Sequence, residues 1–206
     1  MEPLLRPALP LSEPFRHAFT SALDARTPRA LDVPGRRRAA VLLPLFERED
    51  EPWIVLTRRT ETVRSHKGEI SFPGGAEDPG DLDLWHTAVR ETSEEIGLPP
   101  PQIRPLGALD QCPTFSSDFV VSPFVGAITP PERWDPSPHE IAQVIELPLR
   151  ALAEAGRTEA WEYGGTRHPM RVFEVDGHYV WGLTAYILGG FLDLVAPAVG
   201  WESKAL

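Results

Sequence analysis

The chain has 206 residues, 42% of them hydrophobic and 24% charged, with a formal net charge of −10. That length can bury a core without covalent staples, and a single cysteine, Cys112, excludes an internal disulfide and fits a reducing, cytoplasmic home. The acidity excludes a general attraction to nucleic acid or to an anionic membrane, so a polyanionic ligand needs a local reversal of sign.

In chain order, Met1 to Arg6 is broken by proline and lacks the long apolar stretch of a signal peptide. Pro14 to Leu23 reads as a short helix with Ser12 as its cap, and residues 1–30 as an extension ahead of a folded domain over 31–206. Asp24 to Arg38 reads as a loop. Ala39 to Phe46 and Trp53 to Thr57 are apolar runs, expected to be buried strands joined by the charged turn Glu47 to Glu51. Ile70 to Phe72 is short and apolar, and Pro73-Gly74-Gly75 forces a turn.

Leu84 to Ile96 has helical spacing, and Gly97 followed by Pro99-Pro100-Pro101 stops it. Ile103 to Asp110 and Phe119 to Ile128 read as strands. Pro138 to Leu149 mixes apolar and acidic residues and leads into a short helix near Leu149 to Ala155. Short strands follow near Glu159 to Tyr163, Arg171 to Val175 and His178 to Val180. Gly182 to Val195 reads as a packed helix, too interrupted by glycine and Asp193 to span a membrane. Interleaved helices and strands give an α/β or α+β class.

Charge is distributed unevenly. Arg58, Arg59, Arg64 and Lys67 stand against one acid, Glu61, and from Glu77 to Glu95 seven acids stand against Arg90. In the second stretch Glu91, Glu94 and Glu95 recur at helical spacing and should share one side, with Trp85, Ala88, Val89, Thr92 and Ile96 on the other. Leaving such a face bare is costly. Like charges at this spacing repel by roughly 0.2–0.5 kcal/mol per pair. Acids in a last turn lose roughly 0.3–1 kcal/mol to the helix dipole. A hard divalent cation, Mg²⁺ or Mn²⁺, relieves both penalties, because carboxylate oxygens are its preferred ligands. His17, His86, His139, His168 and His178 lack zinc-like spacing and read as structural.

These residues resemble the signature box of the Nudix hydrolases. Gly75 opens it, Asp81 stands at its spaced acid, and Arg90-Glu91-Thr92-Ser93-Glu94-Glu95-Ile96-Gly97-Leu98 closes it. Two departures stand out. Eight residues separate Asp81 from Arg90 where seven are usual, and Thr92 occupies a position that is usually aliphatic. The longer box is similar to that of the coenzyme A diphosphatase branch. So is the preceding segment, from Leu56-Thr57-Arg58-Arg59 through Arg64, His66 and Gly68 to Phe72-Pro73-Gly74-Gly75.

The resemblance implies a Nudix fold, an α/β/α sandwich around a mixed sheet, filling 31–206. It implies a monomer or homodimer acting on a small molecule, coenzyme A or a derivative, with Mg²⁺ or Mn²⁺. Glu91 and Glu95 would hold the metal, with the Gly74 or Gly75 carbonyl as the candidate further ligand. Glu94 would be a further ligand or the general base, Glu140 being the other candidate base. Arg90, counted with Glu94 among the catalytic residues, would anchor a glutamate. Arg58, Arg59, Arg64, Lys67, Gly74 and Gly75 would meet substrate, and His66 either binds phosphate or packs in its loop. A different diphosphate substrate and a non-catalytic nucleotide sensor are the competing readings.

Overall fold

The computed structural model describes residues 8–61, 67–114, 117–163 and 165–201. A first helix α1 (Glu13–Asp24) precedes the long strands β1 (Arg37–Arg48) and β2 (Glu51–Arg59). The hairpin between them turns on Glu49 and Asp50, both left-handed at φ 57° and 60°. That conformation matches the twist of the flanking strands. Short strands β3 (Ile70–Ser71) and β4 (Gly74–Ala76) lead to helix α2 (Leu84–Ile96). Then come β5 (Ile103–Ala108), β6 (Cys112–Pro113), β7 (Phe119–Ile128) and β8 (Ile141–Pro148), followed by α3 (Leu149–Ala155). β9 (Arg157–Tyr163), β10 (Thr166–Val175) and β11 (His178–Val180) precede the last helix, α4 (Gly182–Val195).

The main sheet is mixed. Its path is β3-β2-β1-β7-β5, with β4 on β1, β6 on β7 and β8 on β2. β1 and β7 run parallel, while the other described pairings of this sheet are antiparallel. β9, β10 and β11 form a second, antiparallel sheet.

Period-two alternation sends the side chains of each strand to two cores. Leu43, Leu45, Ile54 and Leu56 join α1, α3 and α4 on one side, with Phe19, Leu149, Phe191 and Leu192. Ala40, Leu42, Phe46 and Val55 meet α2 on the other, with Ala88, Val89 and Ile96. The architecture is therefore α/β/α around a mixed sheet.

Three details of the sequence reading change. Ser12 precedes α1, but its side chain makes no cap hydrogen bond; its N–H donates instead to Glu47 Oε2 at 3.0 Å. Leu9 and Leu11, just before it, are tied to the domain as well. Leu9 exchanges two backbone hydrogen bonds with Glu47, each 2.8 Å, and Leu11 is buried in the larger core. The mixed stretch before Leu149 is strand β8, paired with β2 from Trp53 to Arg59.

Candidate active site

β1 and β2 pair only near their shared turn, from Leu45 to Arg48 against Glu51 to Ile54. Further along they diverge, and the chain from Ile70 to Ala76 fills the gap. β3 pairs with Thr57 and Arg58 of β2, and β4 with Ala39 to Val41 of β1. The Pro73 carbonyl between them accepts from Leu42 N–H at 2.9 Å. Gly74 is extended into the region only glycine tolerates, at φ 151°, and a Cβ there would be driven into the Ala40 carbonyl. The glycine turn is thus locked to the sheet, beside α2.

Both ends of α2 are sealed. Asp83 caps its N-terminus, accepting from His86 N–H at 2.8 Å. Gly97 ends it in the left-handed conformation at φ 72°. Thr92, unusual for this position, is buried, and its hydroxyl donates to the Ala88 carbonyl at 2.7 Å.

The three glutamates do not share one environment. The Glu95 side chain is 5% exposed, Glu91 19% and Glu94 61%. The reason is angular: adjacent helical residues diverge by about 100°, so Glu94 and Glu95 splay apart while Glu91 lies between them. The single negative face expected from spacing is in fact a gradient from solvent to core.

Arg90 is the hub. It grips Asp81 with two parallel bonds, Nε to Oδ1 at 2.9 Å and Nη2 to Oδ2 at 3.0 Å. It also donates to Glu91 Oε1 at 3.0 Å, Glu94 Oε2 at 3.2 Å and the Ala76 carbonyl at 3.2 Å. Asp81 accepts further from Asp78 N–H and the Thr87 hydroxyl. Its carboxyl is held well below the usual range, first by Arg90 and then by the Asp78 amide, and Arg90 is correspondingly raised.

Glu95 has the opposite electrostatics. Burial pushes its carboxyl up to about 8, against the pull of the Gly74 N–H at 3.2 Å and the Arg59 guanidinium at 3.5 Å. Glu91 is also raised, chiefly by burial, with Arg90 pulling it back. Glu91 and Glu140 press on Glu95, and Glu94 and Glu140 press on Glu91. Gly75 leaves room beside this group: a Cβ there would stand 2.5–2.7 Å from the Glu91 carboxylate.

Among the described residues no three acidic, histidine or cysteine side chains form a ready-made cage. What exists is a close pair, Glu91 and Glu95, with Glu140 near enough to act on both. A buried and a partly buried carboxyl group, both shifted upward by burial, on an all-oxygen donor set beside a glycine, fit a hard divalent cation.

The basic residues of the preceding segment are divided. Arg59 faces α2 and pairs with Glu95. Arg58, one residue earlier on β2, faces the opposite side, where its Nη2 lies 3.0 Å from His178 Nδ1. Lys67 is exposed ahead of Gly68. Arg64 and His66 lie outside the described residues. The Arg59–Glu95 and Arg58–His178 contacts escaped the sequence reading because it ended β2 at Thr57. Had the strand been carried to Arg59, period-two alternation alone would have sent the two arginines to opposite faces.

Residues 35–167 match the NUDIX domain family. The chain is 37% identical over 173 residues to a protein of Enterobacter sp. strain 638 named Uncharacterized Nudix hydrolase NudL, covering 82% of this chain and 89% of that one. It is 37% identical over 157 residues to the protein of the same name from Photorhabdus laumondii, covering 74% and 81%. Among solved structures, a MutT/nudix family protein from Enterococcus faecalis superposes with a TM-score of 0.50 at 14% identity, over 89% of this chain and 74% of that one. That likeness concerns the fold.

Proposed function

This chain belongs to the Nudix hydrolase family, and we propose that it hydrolyses the diphosphate linkage of coenzyme A or a derivative. The products would be 3′,5′-adenosine diphosphate and 4′-phosphopantetheine or its acyl form. The observation that carries this reading is the junction of the basic segment with the acid helix. The stretch from Leu56 to Gly75, which resembles the coenzyme A branch, delivers the Gly74 amide and the Arg59 guanidinium to the same buried carboxylate, Glu95.

Nudix hydrolases generally use divalent metal ions such as Mg²⁺ or Mn²⁺. Glu91 and Glu95 are the residues that would hold one here, with Glu94 either a further ligand or the general base. Such a cation supplies positive charge to the diphosphate and acidifies the attacking water. Arg90 orients Glu91 and Glu94 by charge-assisted hydrogen bonds, and is itself fixed by Asp81. Arg59 offers positive charge next to the scissile linkage once Glu95 is otherwise neutralised. Gly75, lacking a side chain, admits the diphosphate next to Glu91. The proton of the attacking water goes to Glu94 or Glu140, both of which are exposed.

The test is hydrolysis of coenzyme A with and without Mg²⁺ or Mn²⁺, with products identified by mass spectrometry. Metal-dependent release of 3′,5′-adenosine diphosphate is expected. Release of free phosphate or pyrophosphate, or turnover confined to dinucleotides, nucleotide sugars or nucleoside triphosphates, would refute the coenzyme A reading.

A further inference from the structure

Two neighbouring arginines on one strand have different electrostatic fates. Arg59 has a carboxyl partner, Glu95, at 3.5 Å. Among the described residues Arg58 has no carboxyl partner. Among the described residues its polar partner is the His178 imidazole, with Nη2 at 3.0 Å from Nδ1. Only the donor can be the guanidinium, so Nδ1 accepts and the ring is neutral. Burial and the Arg58 charge both hold His178 below its ordinary range, with Asp176 pulling the other way. A neutral acceptor satisfies one N–H, but leaves the whole positive charge of Arg58 available to an anion.

The partner is also built to stay in place. His178 opens β11 directly after the turn Asp176-Gly177, whose residues are left-handed at φ 51° and 74°. Its Cα is paired with Val175 across that turn. On the other side, Arg58 is fixed by pairing with Ile70 of β3 and Gln143 of β8. The half-buried guanidinium is therefore held between two sheets, on the sheet face opposite the one that carries Glu91 and Glu95. A substrate whose phosphates all sat on the diphosphate would have no use for a cation there. Coenzyme A carries a further, separate phosphate on its ribose.

We propose that Arg58 binds the phosphate remote from the diphosphate, the 3′-phosphate of the nucleoside, and that His178 is a positioning residue that aims the Arg58 fork. The proposal rests on the coenzyme A reading for the identity of that phosphate.

Calorimetric titration with adenosine 3′,5′-diphosphate and adenosine 5′-monophosphate isolates that group, since the two ligands differ by it. The wild-type protein should prefer the first by about tenfold or more, as expected for a charge-assisted bidentate contact. Arg58→Gln should abolish the preference and leave affinity for the monophosphate unchanged. His178→Phe, which keeps the arginine, should reduce the preference several-fold, and His178→Asn, with an acceptor oxygen near the place of Nδ1, should restore most of it. A merely structural pair would weaken both ligands alike.

Equal loss on both ligands, a preference that survives in Arg58→Gln, or no preference in the wild type would each overturn the proposal. If Arg58→Gln fails to fold, His178→Phe decides by the same ratio. The two readings also fail separately. A wild-type protein that turns over no coenzyme A but loses its 3′-phosphate preference in Arg58→Gln refutes the substrate and keeps the site. Turnover of coenzyme A with an unaltered preference in Arg58→Gln does the reverse.

Discussion

Helices α2 and α4 flank the same sheet on opposite sides and have nearly equal lengths, 13 and 14 residues. α4 carries one charged residue, Asp193, and buries seven residues, all of them apolar. It has no side-chain cap at its N-terminus. Packing holds it, as expected of a helix that is apolar almost all round. α2 packs the smaller core and carries three glutamates in its second half, against repulsion and its own dipole. Its compensation is explicit: an Asp83 cap, a Gly97 stop and the Arg90 hub. One helix spends its surface on stability and the other on chemistry, so the same kind of change should have opposite consequences in the two.

The largest effect is expected at the buried carboxylate of α2. Glu95→Gln should lower metal-dependent turnover by about 10³-fold and weaken Mn²⁺ binding, which calorimetry would read. Normal turnover in that variant would sink the assignment of Glu95 as a ligand. Next comes the glycine beside it. Gly75→Ala puts a methyl 2.5–2.7 Å from the Glu91 carboxylate and should cost about 10–100-fold in kcat/KM, with a much smaller change in melting temperature. An alanine variant of full activity would mean that the space beside Glu91 serves nothing.

The third effect is a pH dependence. With Glu95 at about 8, a cation must displace a proton below that pH. Apparent Mn²⁺ affinity should rise about tenfold per pH unit up to about 8 and level off above it. The sign for stability follows from the raised value. Its contribution is full below the ordinary carboxylate value of 4.5 and is lost as pH rises through about 8. The metal-free protein should therefore melt lower at pH 9 than at pH 7, and Mn²⁺ should remove the difference. A flat affinity profile would contradict it.

The smallest effect belongs to α4. Asp193 accepts from the buried Arg171 at 2.8 and 2.9 Å, and a Cβ on Gly189 would crowd the same guanidinium. Asp193→Asn should cost about 1–2 kcal/mol in urea unfolding while leaving kcat unchanged. A loss of activity without a loss of stability would erase the contrast between the two helices.

Much of the scaffold could be read from sequence. α2, β7 and α4 have the bounds that periodicity and stop signals predict, because each is a long run with clear punctuation. β8 could not be read, because its exposure follows no strict alternation and its register against β2 slips between Arg58 and Arg59. For the site, the residue types and spacing of Glu91, Glu94 and Glu95 were legible, while their unequal burial was not. Burial depends on how the Ile70–Ala76 segment lies against α2, which no local pattern encodes. His178 was illegible for a similar reason: its partner lies 120 residues away in another sheet.

The parallel pairing of β1 with β7 has a consequence for how the protein reaches this state. The pairing joins Arg37 to Phe119 and continues to Leu45 with Ala127, closing a loop of roughly 80 residues that contains the whole acid helix. Contacts so distant in the chain form late, since loop closure must be completed before any of them contributes. β4, which carries Gly74 and Gly75, docks on β1 within that loop. The Gly74–Glu95 contact can thus form from nearby segments, before the chain is closed by β7. A nascent chain has its acidic helix and glycine turn in hand well before its last strands and α4 arrive to bury the other face. Divalent cations in the refolding buffer should then speed the early phase of folding rather than the late one.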